Sequence, residues 1–296
     1  MQRGKDPECL LFQKIAEQGH YAGRIHPTRT RQGIYMTTPG GTLLASLNTR
    51  DPLLVVAKLE EALKNWQQLP ESKRGLEVEV DKAKIVRNED QFPQEGLVLE
   101  VHSRDFPREK QVEGWRGQAR NRDHAWFRKE EARQFLAAKF NIGDSHRVPG
   151  PLVERLVRLH LIDNVRGESP PYPARAIKTA TLSTEVIAVK DSLVTIRITG
   201  EVSLEQQGAW HIGKGDQRKE TSRGYHGSFL GNARFDRESQ RFEHFELISA
   251  GQRWGATRYN ARGDDLSASP MGFLFILAGD GVEDRVPPAY LREYRW

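Results

Sequence analysis

"SLVTIRITGEVSL", residues 192–204, places Val194, Ile196, Ile198, Val202 and Leu204 on one face of an extended chain. Period-two alternation over so many residues marks a strand with one buried side. The same pattern follows downstream. "GYHGSFLGNARFD" (224–236) puts Phe229, Ala233 and Phe235 on one face, with Gly227 and Gly231 between them. "RFEHFELISAG" (241–251) and "MGFLFILAG" (271–279) supply two more strands. Strands joined by short turns predict an antiparallel β-barrel or sandwich over 176–296. Inner-face glycines suit tight bends or close backbone approach.

Working back from this region, "RGESPPYPAR" (166–175) carries three prolines and a glycine and is expected to be a linker. Before it, residues 71–165 are expected to form an α+β middle region. Leu76, Val78 and Val80 alternate, as do Leu97, Leu99 and Val101, predicting two half-buried strands. A helix over about 128–140 is expected to bury Ala132, Phe135, Leu136 and Phe140. Another follows Pro149 and Pro151, carrying Leu152, Val153, Leu156, Val157, Leu159 and Leu161.

Residues 1–70 form the third expected domain. Asp6, Pro7 and Gly19 bracket a short helix. "GIYMTTPGGTLLASLN" (33–48) reads as two strands about a Pro39-Gly40-Gly41 turn. Asp51 and Pro52 then open a helix whose Leu53, Val56, Leu59, Leu63 and Trp66 recur at helical spacing. This ββα order, about residues 33–68, resembles the C-terminal half of the thioredoxin-like fold. The family's Cys-x-x-Cys has no counterpart, because Cys9 is the only cysteine. The cis-proline position before the first strand is held by Gln32 and Gly33. The resemblance therefore implies a truncated thioredoxin-like module, not a working dithiol oxidoreductase. The rest of the chain resembles bacterial multi-domain proteins that append an all-β domain, which implies no activity. The fold class expected is α+β.

The chain has 296 residues and a formal charge of +5, with 45 basic residues interspersed among 40 acidic ones. A surface for nucleic acid clusters its charge, so a nucleic-acid partner is not expected. No apolar run reaches the roughly 18 residues of a membrane span, and no membrane partner is expected. "MQRGKDPECLLFQK" has no apolar signal core, so the chain as written is expected in the cytoplasm, or exported if its true start lies upstream.

No cofactor and no metal motif is expected. His244 and Glu246 share a strand face, but a register with Phe245 and Leu247 inward turns them to solvent beside Asn232 and Arg234. "WRGQARNRDHAWFRKEEAR" (115–133) interleaves aromatics with arginines but holds three acids, and reads as the start of a helix anchored by Trp126 and Phe127. Cys9, in the first turn of a helix, is a candidate redox thiol or a small buried residue.

The densest polar and aromatic stretch is "RWGATRYNARGDDLSASP" (253–270). Arg253, Trp254, Arg258, Asn260, Arg262 and Asp264 are the candidate ligand-binding residues, since arginines beside flat aromatics hold anions, sugars or carboxylates. The alternative is a structural arch of Arg–Asp pairs that closes the end of the β domain, with Trp254 in the core. No catalytic residue is assigned. The function expected is a non-catalytic protein whose β domain binds a small ligand or protein partner. The alternatives are an enzyme with a site between the middle region and the β domain, or a single-cysteine thiol protein.

Overall fold

The alternating stretches of the C-terminal half become long antiparallel strands in the computed structural model, which describes residues 7–21, 31–49, 51–75, 88–109, 112–212 and 218–296. The chain divides into two compact units, Met1–Ile85 and Val86–Trp296.

In the first unit, α1 (Pro7–Gln18) precedes a two-stranded hairpin, β1 (Ile34–Thr37) and β2 (Leu43–Leu47), followed by α2 (Pro52–Gln68). The hairpin closes where Thr38 N donates to Thr42 O at 2.9 Å. Gly41 supplies the left-handed φ of +85° that this reversal needs. The Asp51 carboxylate caps α2 by accepting from Leu53 N at 2.9 Å. Asn65 Nδ2 ties the helix to β2 through Leu44 O, at 2.7 Å. Of the α2 stripe, Leu53, Val56, Leu59 and Leu63 are exposed, and the buried residue is Ala62. The strand expected at Leu76, Val78 and Val80 lies outside the described residues.

The second unit carries β3 (Leu97–Asp105), α3 (Trp115–Gln118), β4 (Arg120–Phe127), α4 (Lys129–Arg133), β5 (Ser145–Arg147) and α5 (Gly150–His160). Five more strands follow: β6 (Ile177–Lys190), β7 (Leu193–His211), β8 (Arg218–Asp236), β9 (Arg241–Trp254) and β10 (Ser269–Leu277). They form one eight-stranded sheet in the order β4-β3-β10-β9-β8-β7-β6-β5. The predicted faces hold: Val194, Ile196, Ile198, Val202, Leu204, Phe229, Ala233 and Phe235 are all buried.

The sheet is not closed into a barrel. β4 and the three-residue β5 end it and do not pair with each other. The physical reason is α5. It packs against β6 near one end and against β4 at the other, and its Leu152, Val153, Leu156 and Val157 join the same core as the strands. A helix satisfies its own backbone and cannot complete a ladder, so the sheet curls around it and stops.

The middle region and the β domain are not separate here. β3 pairs with β10 over Leu99–Asp105 and Met271–Leu277 and with β4 on its other side, which places residues 97–105 and 120–127 inside the sheet. Residues 166–175 are packed rather than a free linker: Arg166, Ser169 and Tyr172 are buried, and Tyr172 N donates to Arg158 O at 3.2 Å. The helix expected over 128–140 ends at Arg133. Bonds spanning three residues follow, Phe135 N to Ala132 O at 3.2 Å and Leu136 N to Arg133 O at 3.0 Å. They turn Phe135 edge-on into Phe127 and Phe245. Trp126 and Phe127 do anchor the core, but from the strand β4.

Candidate functional site

The end of β3, the loop after α5, and the connection from β9 to β10 bring seven charged side chains together. Asp105 closes β3. Asp163 and Arg166 follow α5. Arg253 sits near the end of β9, and Gly255, at φ +79°, turns the chain into a loop that returns Arg262 and Asp265. Arg108 reaches in from beyond β3.

Arg262 is fully buried and is held by all three carboxylates. Its Nη2 donates to Asp105 Oδ1 at 2.7 Å and Asp163 Oδ1 at 2.9 Å. Its Nε donates to Asp163 Oδ2 at 2.8 Å, and Nη1 to Asp105 Oδ2 at 2.8 Å and Asp265 Oδ2 at 3.2 Å. Asp265 is the other hub. Arg108 approaches it with both Nη atoms at 2.8 Å. Arg166 Nη1 donates to it at 2.9 Å, and Arg253 Nη2 lies 2.5 Å away. Arg166 Nη2 donates to Asp105 Oδ2 at 2.6 Å.

Burial by itself raises the Asp265 and Asp105 carboxyls. The arginine hydrogen bonds and charges outweigh it and hold both below the ordinary carboxylate range. Burial pulls Arg262 down, and the bonds from Asp105 and Asp163 reverse this and raise it. Three cage donors make no hydrogen bond among the described residues: Arg166 Nε, Arg253 Nε and Arg253 Nη2, the last held to Asp265 by its ion pair alone.

A cleft of about 310 Å3 opens beside the cage. Arg104, Asp105, Phe106, Pro107 and Arg108 form one side, Val112, Gly114, Gly117 and Gln118 the other, and Arg166 belongs to its wall. Phe106 is seated on Gly272, where a Cβ would come within 2.2 Å of its ring. Arg104 is exposed and makes one bond, Nε to Asp105 O at 3.3 Å; no carboxylate pairs with it among the described residues.

The six ligand-binding residues expected from the 253–270 stretch divide. Arg253 and Arg262 enter the cage. Asp264 stays exposed and accepts from Arg116 Nη1 at 2.7 Å. Arg258 stacks over the Tyr259 ring with its guanidinium 5.3 Å from the centroid. Asn260 is buried and its Oδ1 accepts from Thr257 N at 2.9 Å. Trp254 is half-buried rather than in the core; its Nε1 donates to Ser222 Oγ at 3.1 Å, and its ring fills the space over Gly224. Within the loop, Arg253 and Arg262 pair with Asp265. Asp105, Arg108, Asp163 and Arg166, which complete the cage, lie 99 to 161 positions from the loop partners they meet, and no local spacing announces them.

Cys9 falls in the first turn of α1, and its side chain lies outside the described residues. His244 and Glu246 sit opposite Arg234 and Asn232 on the outer face, as the pattern predicts. Asp123 and His124 point to opposite faces of β4. Asp123 Oδ2 lies 3.5 Å from His160 Nδ1, and His160 Nε2 is 2.6 Å from the Tyr294 hydroxyl. That hydroxyl oxygen also accepts from Trp126 N at 3.3 Å, so the buried network pins the C-terminal turn to the sheet. Among the described residues no helix is long and apolar enough to cross a membrane. No family model, no curated protein and no solved structure matches this chain.

Proposed function

We propose that the chain is a non-catalytic binding protein whose second unit takes a small ligand in the cleft between the end of β3 and α3. The observation that carries this is the wall of that cleft. A buried arginine, Arg166, contributes to it with one donor unmatched, and a rigid cage fixes that arginine from behind. Preorganised polar groups at the margin of an apolar scaffold suit recognition. The displaced carboxyls Asp105 and Asp265 are committed to arginines, which fits support of a site better than proton transfer. For the first unit, the order β1-β2-α2 supports the reading as a thioredoxin-like ββα module.

Thermal unfolding with a panel of carboxylic acids, phosphate esters, sugars and short peptides tests the function. Ligands that bind the native state raise the melting temperature by mass action. At least one compound is expected to stabilise the chain, and Gln118→Trp, which fills the cleft from its exposed rim, is expected to abolish that shift. A panel with no stabilising compound, or a shift that survives Gln118→Trp, overturns the proposal.

A further inference from the structure

We infer that the cleft selects an oxyanion, the carboxylate or phosphate group of a small ligand, gripped by Arg104 in front of the buried, positively charged Arg166 of the cleft wall. The inference rests on the cleft being the binding site and names the class of ligand it takes.

Charge comes first. The cage and cleft together hold five guanidinium groups (Arg104, Arg108, Arg166, Arg253, Arg262) against three carboxylates (Asp105, Asp163, Asp265). Two positive charges are left over. The exposed Glu109 and Glu113 lie on the same connection, but neither lines the cleft. The surplus falls on exposed Arg104 and part-exposed Arg108, both on the cleft, where it draws in an anion.

Donor geometry comes second. Arg166 is 4 % exposed. Both of its Nη atoms are fixed by Asp105 and Asp265, so its plane cannot turn to find a partner for Nε. Arg104 stands on the cleft with both Nη atoms uncommitted among the described residues. The planar fork of Arg104 suits an oxyanion with two or more acceptor atoms, and charge-assisted bonds of this kind are the strong ones. Third, Phe106, Pro107 and Val112 add apolar surface to the cleft lining. The ligand therefore joins its anionic group to a small apolar body, and about 310 Å3 suits a metabolite rather than a polymer.

The test is calorimetric titration of the full chain with inorganic phosphate, with isobutyrate, and with the neutral isobutyramide, at constant ionic strength. Either anion is expected to bind and isobutyramide is not. Phosphate tighter than isobutyrate identifies a phosphoryl ligand; the reverse identifies a carboxylate. Arg104→Gln, at an exposed position outside the cage, is expected to weaken the anion about tenfold or more. Arg104→Lys is expected to recover part of that loss. Isobutyramide binding as well as isobutyrate, with both blocked by Gln118→Trp, overturns the oxyanion and leaves the cleft standing. Anion binding untouched by both Arg104→Gln and Gln118→Trp overturns the two together, as does failure of both anions to bind.

Discussion

Asp265→Asn removes one charge from the cage and almost no volume. Wild-type Asp265 meets Arg108, Arg166, Arg253 and Arg262, and its side chain is 15 % exposed. After the change, four guanidiniums share two carboxylates, Asp105 and Asp163. Breaking a buried pair from one side costs about 3–5 kcal/mol, because the partner charge stays buried. Here Arg262 keeps both other carboxylates and Arg108, 21 % exposed, is free to swing toward water. The lower end, about 3 kcal/mol, is therefore expected. In urea, with a slope of about 2–3 kcal/mol/M, the midpoint falls by roughly 1 M or more. The neighbouring Asp264→Asn is the internal control. Asp264 is 68 % exposed and has one partner, Arg116, so its loss is expected to stay within about 0.5 kcal/mol and to shrink with added salt. Equal midpoints for the two variants would falsify the view that the cage is a buried, mutually dependent unit.

The same carboxyls set an acid limit. Asp105 and Asp265 are held below their unfolded values, so their contribution is full above about pH 4 and is lost as pH falls through their lower native range. Urea midpoints for wild type are expected to drop steeply below about pH 4, and Asp265→Asn is expected to flatten that slope. Tyr294→Phe leaves His160 Nε2 and Trp126 N without their hydroxyl partner in a buried setting. A loss of about 1–3 kcal/mol is expected, read as an earlier change in tryptophan fluorescence on denaturation. Gly231→Ala puts a Cβ 2.2 Å from the Glu246 carbonyl oxygen, a backbone atom that cannot step aside. A loss of about 1–3 kcal/mol in the same assay is expected, and a neutral result counts against the strand spacing described. A fragment spanning 176–296 lacks β3, the partner of β10, and lacks α5. It is expected to show no cooperative unfolding transition, whereas 86–296 does; a cooperative 176–296 fragment contradicts the single core.

Most of the strands were legible in the sequence because a side chain's face depends only on its parity. Val194 to Leu204 needed no knowledge of their neighbours. The ββα order of residues 33–68 was legible too, through Gly41 at the reversal and Asp51 at the cap. Leu53, Val56, Leu59 and Leu63 show the limit. Their spacing specifies a helix, but only packing decides whether the stripe is covered, and here it is exposed.

The loop 253–270 stood out by composition, and composition allowed both a receptor and an arch. Which of the two it forms depends on counterions from Asp105 and Asp163, far away in the chain, that pairing of β3 with β10 and the turn after α5 bring within about 3 Å. The proline-rich stretch 166–175 reads locally as a linker, since φ restriction and missing donors are local properties. Its burial follows from Arg166 finding Asp105 and Asp265, a long-range electrostatic fact. By itself, then, the sequence determined periodicity, turns, caps and the solitary thiol, all of which act over a few residues. Sheet order, the open edge at α5, the cage and its cleft were decided by tertiary structure, because they depend on which distant charges and faces share one low-dielectric space.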